Sequence, residues 1–374
     1  MTREPSQLDK VADAWVDKMA EMSPSFATYI GKPGGEDKLD DASPEGQEED
    51  ARQMRRVLGE VNATATRDKV DEVTKDAMQN SLELGIEMHE AGLWKRDLNV
   101  LASPAQGIRD IFDLSPTATE HDWENLAKRM RAVPGAIDGY IRSLREGIAA
   151  SDTPATRQVE FVIRETEELG SAEGFFKKFA AGAKLEAGEF PDSLKAEIDA
   201  AGQVATEGYA ALAEFLKSEL LGKANTEDAI GRERYALFSR RFLGAKVDLD
   251  ETYEWGREEL ARVTAEQEAV ASEIKPGASV QEAIEVLNND KSRKLHGTDE
   301  LQKWMQRLSD NAIEKLSGTH FDIAEPMKTL ECMIAPTNSG AIYYTGPTDD
   351  FSRPGRMWWS VPAGVTEFDT WRET

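Results

Sequence analysis

Apolar residues recur at helical spacing through most of this chain, and that periodicity limits the fold more than any other feature. Leu8, Val11, Trp15, Met19 and Met22 mark one helix face near the N-terminus. Met54, Leu58 and Val61 mark a second, and Val70, Val73, Ala77, Leu84 and Met88 a third. A longer stripe runs through Trp123, Leu126 and Met130, then resumes after Pro134 with Ile137, Ile141, Leu144 and Ile148. Val204, Tyr209, Leu212, Leu216 and Leu220 form another, and later ones pass through Tyr253, Leu260, Val263, Val270 and Ile274 and through Leu301, Trp304, Met305, Leu308, Ala312 and Leu316. Such stripes bury one side of a helix against a neighbour. Phe175, Phe176 and Phe179 fall in the same pattern and read as core, not as a cofactor box.

Punctuation agrees with the stripes. Ser43 precedes Pro44, an N-cap followed by a residue suited to the first turn. Asp248 with Glu251, and Ser279 with Glu282, have the spacing of capping boxes. Residues 30–47 read as a polar loop, and the chain from Gly92 to Ser115 as irregular.

The last forty residues, from Ala335 on, break the pattern. Ala341–Thr345 and Arg356–Val361 are short β-rich runs separated by Gly, Pro, Asp and Ser. Three of the eight tryptophans and two of the seven tyrosines lie here, so this is where an unusual surface is expected. The fold expected is mainly α: an elongated multi-helix body over 1–326, continuous with a small antiparallel β-hairpin region over 327–374.

Hydrophobic residues make up 40% of the chain and charged ones 31%, enough apolar material for a sizeable core. A formal charge of −25 repels phosphate backbones and anionic lipid, so neither nucleic acid nor a membrane is an expected partner. The single cysteine, Cys332, excludes an internal disulfide. Its place in Leu330-Glu331-Cys332-Met333-Ile334 reads as a buried thiol. With no apolar leader at the N-terminus, a cytoplasmic location is expected.

No catalytic constellation is complete within the chain. The histidines are His89, His121, His296 and His320, and no two stand four residues apart. His89-Glu90-Ala91-Gly92-Leu93 begins like H-E-x-x-H but ends on leucine, where pitch requires the second imidazole. Nucleotide-binding glycine loops and the nucleophile-elbow pattern are absent from the sequence.

Several segments together resemble one family. They are Ser23-Pro24 with Ile30-Gly31 and Leu39-Asp40-Asp41-Ala42-Ser43-Pro44-Glu45; Val133-Pro134 with Tyr140-Ile141 and Leu144; Gly231-Arg232-Glu233-Arg234-Tyr235 with Phe242-Leu243-Gly244, Asp248-Leu249 and Glu251-Thr252-Tyr253-Glu254-Trp255-Gly256. Tyr343-Tyr344, Ser352-Arg353-Pro354-Gly355 and Phe368-Asp369-Thr370-Trp371-Arg372-Glu373 complete the set. The combination resembles the bacterial DUF885 family, helical proteins similar to zinc metallopeptidases of the gluzincin type.

In that family a segment like Thr370–Thr374 leads into a helix bearing H-E-x-x-x-G-H-H, which supplies metal ligands and general base. This sequence ends before such a helix, so no catalytic residue or metal ligand is carried over to it. The resemblance implies the N-terminal two-thirds of a zinc-dependent peptidase acting on short peptides, with zinc expected in a full-length relative and none bound by this chain. An extended peptide substrate is the implied partner, and the apolar surface that a shortened chain would expose makes a second copy of the chain another. The implied substrate contacts are Tyr343, Tyr344 and Arg353; the alternative is that Arg353 holds its turn and the tyrosines pack the sheet. A non-catalytic helical binding or scaffold protein is the other function open to such a chain.

Overall fold

The computed structural model describes residues 3–335, 342–348 and 350–373. Ala341 of the expected first β-run, and Thr374, lie outside them. The described chain forms two compact units, Met1–Lys246 and Val247–Thr374. Contacts divide the chain at 246/247, not at the 326/327 boundary expected from the sequence, and the helix over 298–316 packs on the strand over 330–334 in the second unit.

The first unit is helical: α1 (Gln7–Met22), α2 (Pro24–Ile30), α3 (Pro44–Ala63), α4 (Lys69–Glu90), α5 (Pro104–Leu114), α6 (Glu120–Ala149), α7 (Thr156–Leu169), α8 (Phe175–Ala181), α9 (Asp192–Phe215) and α10 (Arg232–Leu243). Its main core lies between α6 and α9. There Trp123, Met130, Ile137 and Leu144 meet Ile198, Ala205, Tyr209 and Leu212, with Phe112 and Phe176 at one end. Pro134 does not break α6, which runs unbroken through it. The stretch expected to be irregular contains α5. Pro104 sits in its first turn, where a missing N–H is harmless, and the Ser103 N–H donates to Gln106 Oε1 at 3.0 Å. Ile108, Ile111 and Phe112 then face the core.

Polar side chains, among them Asp40, Ser43 and Arg234 of the resemblance, hold this unit together. Asp40 accepts from Ser23 Oγ and from the Ser25 N–H (both 2.9 Å), which fixes the start of α2. Ser43 caps α3 through the Gly46 N–H. Arg129, fully buried, donates to the carbonyls of Lys38 and Gly35 (both 2.9 Å), to Ser115 Oγ and to Thr28 Oγ1. It therefore pins the 31–43 loop onto α6. Arg234 and Arg96 share Asp152, at 2.6 and 2.9 Å.

The second unit contains α11 (Leu249–Ile274), α12 (Val280–Asn288), β1 (Lys294–His296), α13 (Thr298–Leu316), β2 (Leu330–Ile334), β3 (Ile342–Thr345), β4 (Gly355–Trp359), β5 (Glu367–Asp369) and α14 (Thr370–Glu373). Asp248 caps α11 by accepting from the N–H groups of Asp250 and Glu251, and Ser279 with Glu282 forms the expected capping box of α12. Leu301, Trp304 and Met305 of α13 pack on Cys332 and Phe368. Cys332 is buried as expected, and burial pushes its thiol pKa up. The expected hairpin is present as β3 antiparallel to β4. A third strand, β2, joins β4 in parallel, giving the order β2-β4-β3. No helix among the described residues is long and apolar enough to cross a membrane.

Candidate functional site

The three-stranded sheet has two edges, and the sequence treats them differently. An unpaired strand edge exposes a row of backbone donors and acceptors. On β2 that row is closed by two glutamines one turn apart on α13. Gln306 Nε2 donates to the Leu330 carbonyl (2.8 Å) and its Oε1 accepts the Cys332 N–H (2.8 Å); Gln302 Nε2 donates to the Cys332 carbonyl (2.8 Å). The side chains make the bonds that a fourth strand would make.

The β3 edge has no strand beside it among the described residues. Backbone alternation tells which of its groups face outward. The Ala335 N–H donates to the Trp359 carbonyl at 2.8 Å, so Trp359 faces β2 and its neighbour Trp358 faces β3. Trp358 is registered with Tyr343, so the Tyr343 backbone bonds inward and the Tyr344 N–H and C=O point out. Tyr344 is 46% exposed and Ile342 55%.

The register also separates the three residues singled out in the sequence. Tyr343 lies on one face, stacked on Trp358 with ring centroids 6.0 Å apart and planes at 11°. Trp358 Nε1 donates to Thr345 Oγ1, and Arg356 pairs with Glu331 at 2.6 Å on the same face. Tyr344 projects from the opposite face, toward α13. Its ring lies over Gly355, where an added Cβ would come 2.5 Å from the phenolic oxygen. Arg353 belongs to the loop between the strands. Its carbonyl accepts the Thr348 N–H and its N–H donates to Thr348 Oγ1, each at 3.0 Å, and its guanidinium reaches the Gly346 carbonyl at 3.4 Å. Asp350 stiffens the same loop by accepting from Ser352 N–H and Thr348 Oγ1, bonds that hold its carboxyl down to about 2. The structure thus brings Tyr344 to the open edge, puts Tyr343 behind it on the other face, and ties Arg353 into the turn.

A cavity of about 200 Å³ opens on the Tyr344 face, lined by Ile313, Met327, Leu330, Tyr344, Pro347 and Gly355 among others. Gln302, Gln306 and this lining carry no signal in the sequence, because a glutamine on a helix looks the same whether it meets water or a strand edge. A larger cavity in the first unit, about 300 Å³, lies among Asn80, Arg240 and Lys246. There Arg240 is engaged by Glu87 and Asn80 by the Gly244 carbonyl.

Residues 367–370 are fixed beside this sheet. Strand β5 pairs antiparallel with β1, Lys294 reaches Asp369 at 2.5 Å, and Thr370 Oγ1 donates to the Arg293 carbonyl. Among the described residues no three His, Cys, Asp or Glu side chains gather to hold a metal ion. His89 faces Glu48 at 3.0 Å and stacks on Trp94.

Residues 24–374 match the family model described as a bacterial protein of unknown function, DUF885. The chain belongs to the DUF885 family. No curated protein matches it. Two solved structures are similar to this DUF885 chain: a "putative lipoprotein" from Colwellia psychrerythraea (TM-score 0.79, 16% identity) and a "putative lipoprotein of unknown function" from Shewanella oneidensis (TM-score 0.63, 15% identity). Alignment covers 95% and 97% of this chain, and 68% and 66% of theirs. At that identity the likeness establishes the fold alone. The DUF885 chain spans about two thirds of the length of each.

Proposed function

We propose that this chain is the substrate-holding part of a zinc-dependent peptidase acting on short peptides, and that it holds them by pairing an extended peptide with the outer edge of β3. The observation that carries the reading is the contrast between edges: Gln302 and Gln306 seal β2, whereas the Tyr344 backbone faces outward on β3. Strand addition takes its affinity from main-chain hydrogen bonds, which suits a site that must accept many sequences. Zinc and hydrolysis enter the reading through the family resemblance. The described residues offer no set of three ligands, so only the holding of the peptide is derived from them.

The outward N–H of Tyr344 gives a clean test. Proline is tolerated on an edge strand where its nitrogen faces solvent, but it cannot donate to an added strand. Tyr344→Pro is expected to weaken binding of an end-blocked extended heptapeptide at least roughly tenfold, the scale of one lost backbone hydrogen bond with its partner left unpaired. Tyr344→Phe is expected to bind like the parent. Fluorescence anisotropy with a labelled peptide reads both, and equal affinity for the proline variant would overturn the pairing.

A further inference from the structure

We infer that the cavity beside Tyr344 is a side-chain subsite, and that it selects peptides bearing an apolar residue at the position paired with Tyr344. This rests on the strand pairing proposed above and adds a specificity to it.

The inference follows from register. Residues directly opposite in neighbouring strands project their side chains to the same face. A peptide residue opposite Tyr344 therefore points to the face Tyr344 occupies, where the cavity opens among Ile313, Met327, Leu330 and Pro347. Peptide residues on either side of it point to the other face, toward Tyr343 and Trp358, where Thr345 and Arg356 already engage the indole. Strand pairing supplies sequence-tolerant affinity, and pockets at alternate positions supply choice.

Size and chemistry fix the occupant. At about 200 Å³ the cavity is smaller than the roughly 300–1,000 Å³ of sites that enclose a whole small molecule. It suits one leucine-, methionine- or phenylalanine-sized side chain. Most of the named lining is aliphatic, and no charged side chain contributes to it, so a carboxylate or ammonium entering there would lose water without gaining a partner. Met327, on an unbranched thioether arm, can adjust to aliphatic or aromatic shapes. Gly355 makes room for the Tyr344 ring, since a Cβ there would come 2.5 Å from the phenolic oxygen.

The test uses the 374-residue protein and end-blocked threonine heptapeptides in which only the central residue varies. Leucine and phenylalanine at the centre are expected to bind roughly tenfold or more tightly than alanine, the scale of burying one such side chain, and aspartate more weakly than alanine. Met327→Trp, a change at a 44% exposed position on the cavity wall, is expected to abolish the preference for leucine over alanine, and a preference that survives it would overturn the assignment of this cavity as the subsite. Equal binding of the leucine and alanine peptides, with Tyr344→Pro still weakening both, would overturn the subsite and leave the strand pairing intact. Failure of every peptide to bind would overturn the pairing and the subsite together.

Discussion

Single side chains in this protein do more to position backbone than to present chemistry. Arg129 is the extreme case, a fully buried guanidinium whose named partners are all neutral oxygens. Burial alone pulls its pKa down, with Glu36, Asp40 and Asp37 opposing. Its planar fork reaches four acceptors that a lysine's single ammonium cannot serve at once. Arg129→Met is expected to cost about 3 kcal/mol or more, because four hydrogen bonds that tie the 31–43 loop, α2 and the end of α5 to α6 are lost together. Arg129→Lys should recover only part of that, read from urea midpoints.

Asp50 behaves oppositely. Burial first, then the Asp40, Asp41 and Glu49 carboxylates, raise its pKa to about 6. Its unfolded value is near 4, so between about pH 4 and 6 the folded chain keeps a proton that the unfolded chain has released. Its contribution to stability therefore falls as pH rises through that window and stays unfavourable above it. Asp50→Asn is expected to raise stability at pH 7 by about 1–2 kcal/mol, allowing for solvent screening, and to change little at pH 4. A pH series of thermal midpoints for the two proteins distinguishes this from an effect that does not depend on pH.

At the scale of elements, helices were far more legible than strand edges. The stripes and caps placed α1, α3, α4, α6, α11 and α12 because each signal is local: a cap acts over three residues and a stripe repeats within two turns. Helix α5 escaped because Ser103-Pro104 marks a helix start as well as a turn. The parallel partner β2 escaped because its pairing with β4 joins segments more than twenty residues apart, and nothing in Leu330–Ile334 says which strand it will meet. Tyr343, Tyr344 and Arg353 are legible as an unusual cluster, and adjacency in one strand already sends the two tyrosines to opposite faces; which of them turns its backbone to the open edge follows only from pairing.

The sealed edge of β2 supplies its own prediction. Gln306→Ala removes the acceptor of the Cys332 N–H and the donor to Leu330. Exchange of the Cys332 amide should accelerate at least roughly tenfold, with about 1–2 kcal/mol lost in stability. An unchanged Cys332 exchange rate would mean the strand edge is protected by other means.

For the molecule as a whole, the family match spans residues 24–374 and the two similar solved structures share the fold. The motifs behind the resemblance are mostly scaffold: Asp40, Ser43, Arg234 and Asp248 cap helices or bridge them. That explains why the family could be read from sequence while its chemistry could not. The proposed peptide site lies instead at the open side of one sheet, where the Tyr344 backbone faces outward. Residue-resolved hydrogen exchange, with and without a saturating leucine-centred threonine heptapeptide, tests this most directly. The Tyr344 amide should gain protection of roughly tenfold or more on binding, while the Tyr343 amide, already bonded to β4, should not change. Protection confined to other surfaces, with Tyr344 exchanging as fast as in the free protein, would contradict the assignment of β3 as the peptide-pairing edge.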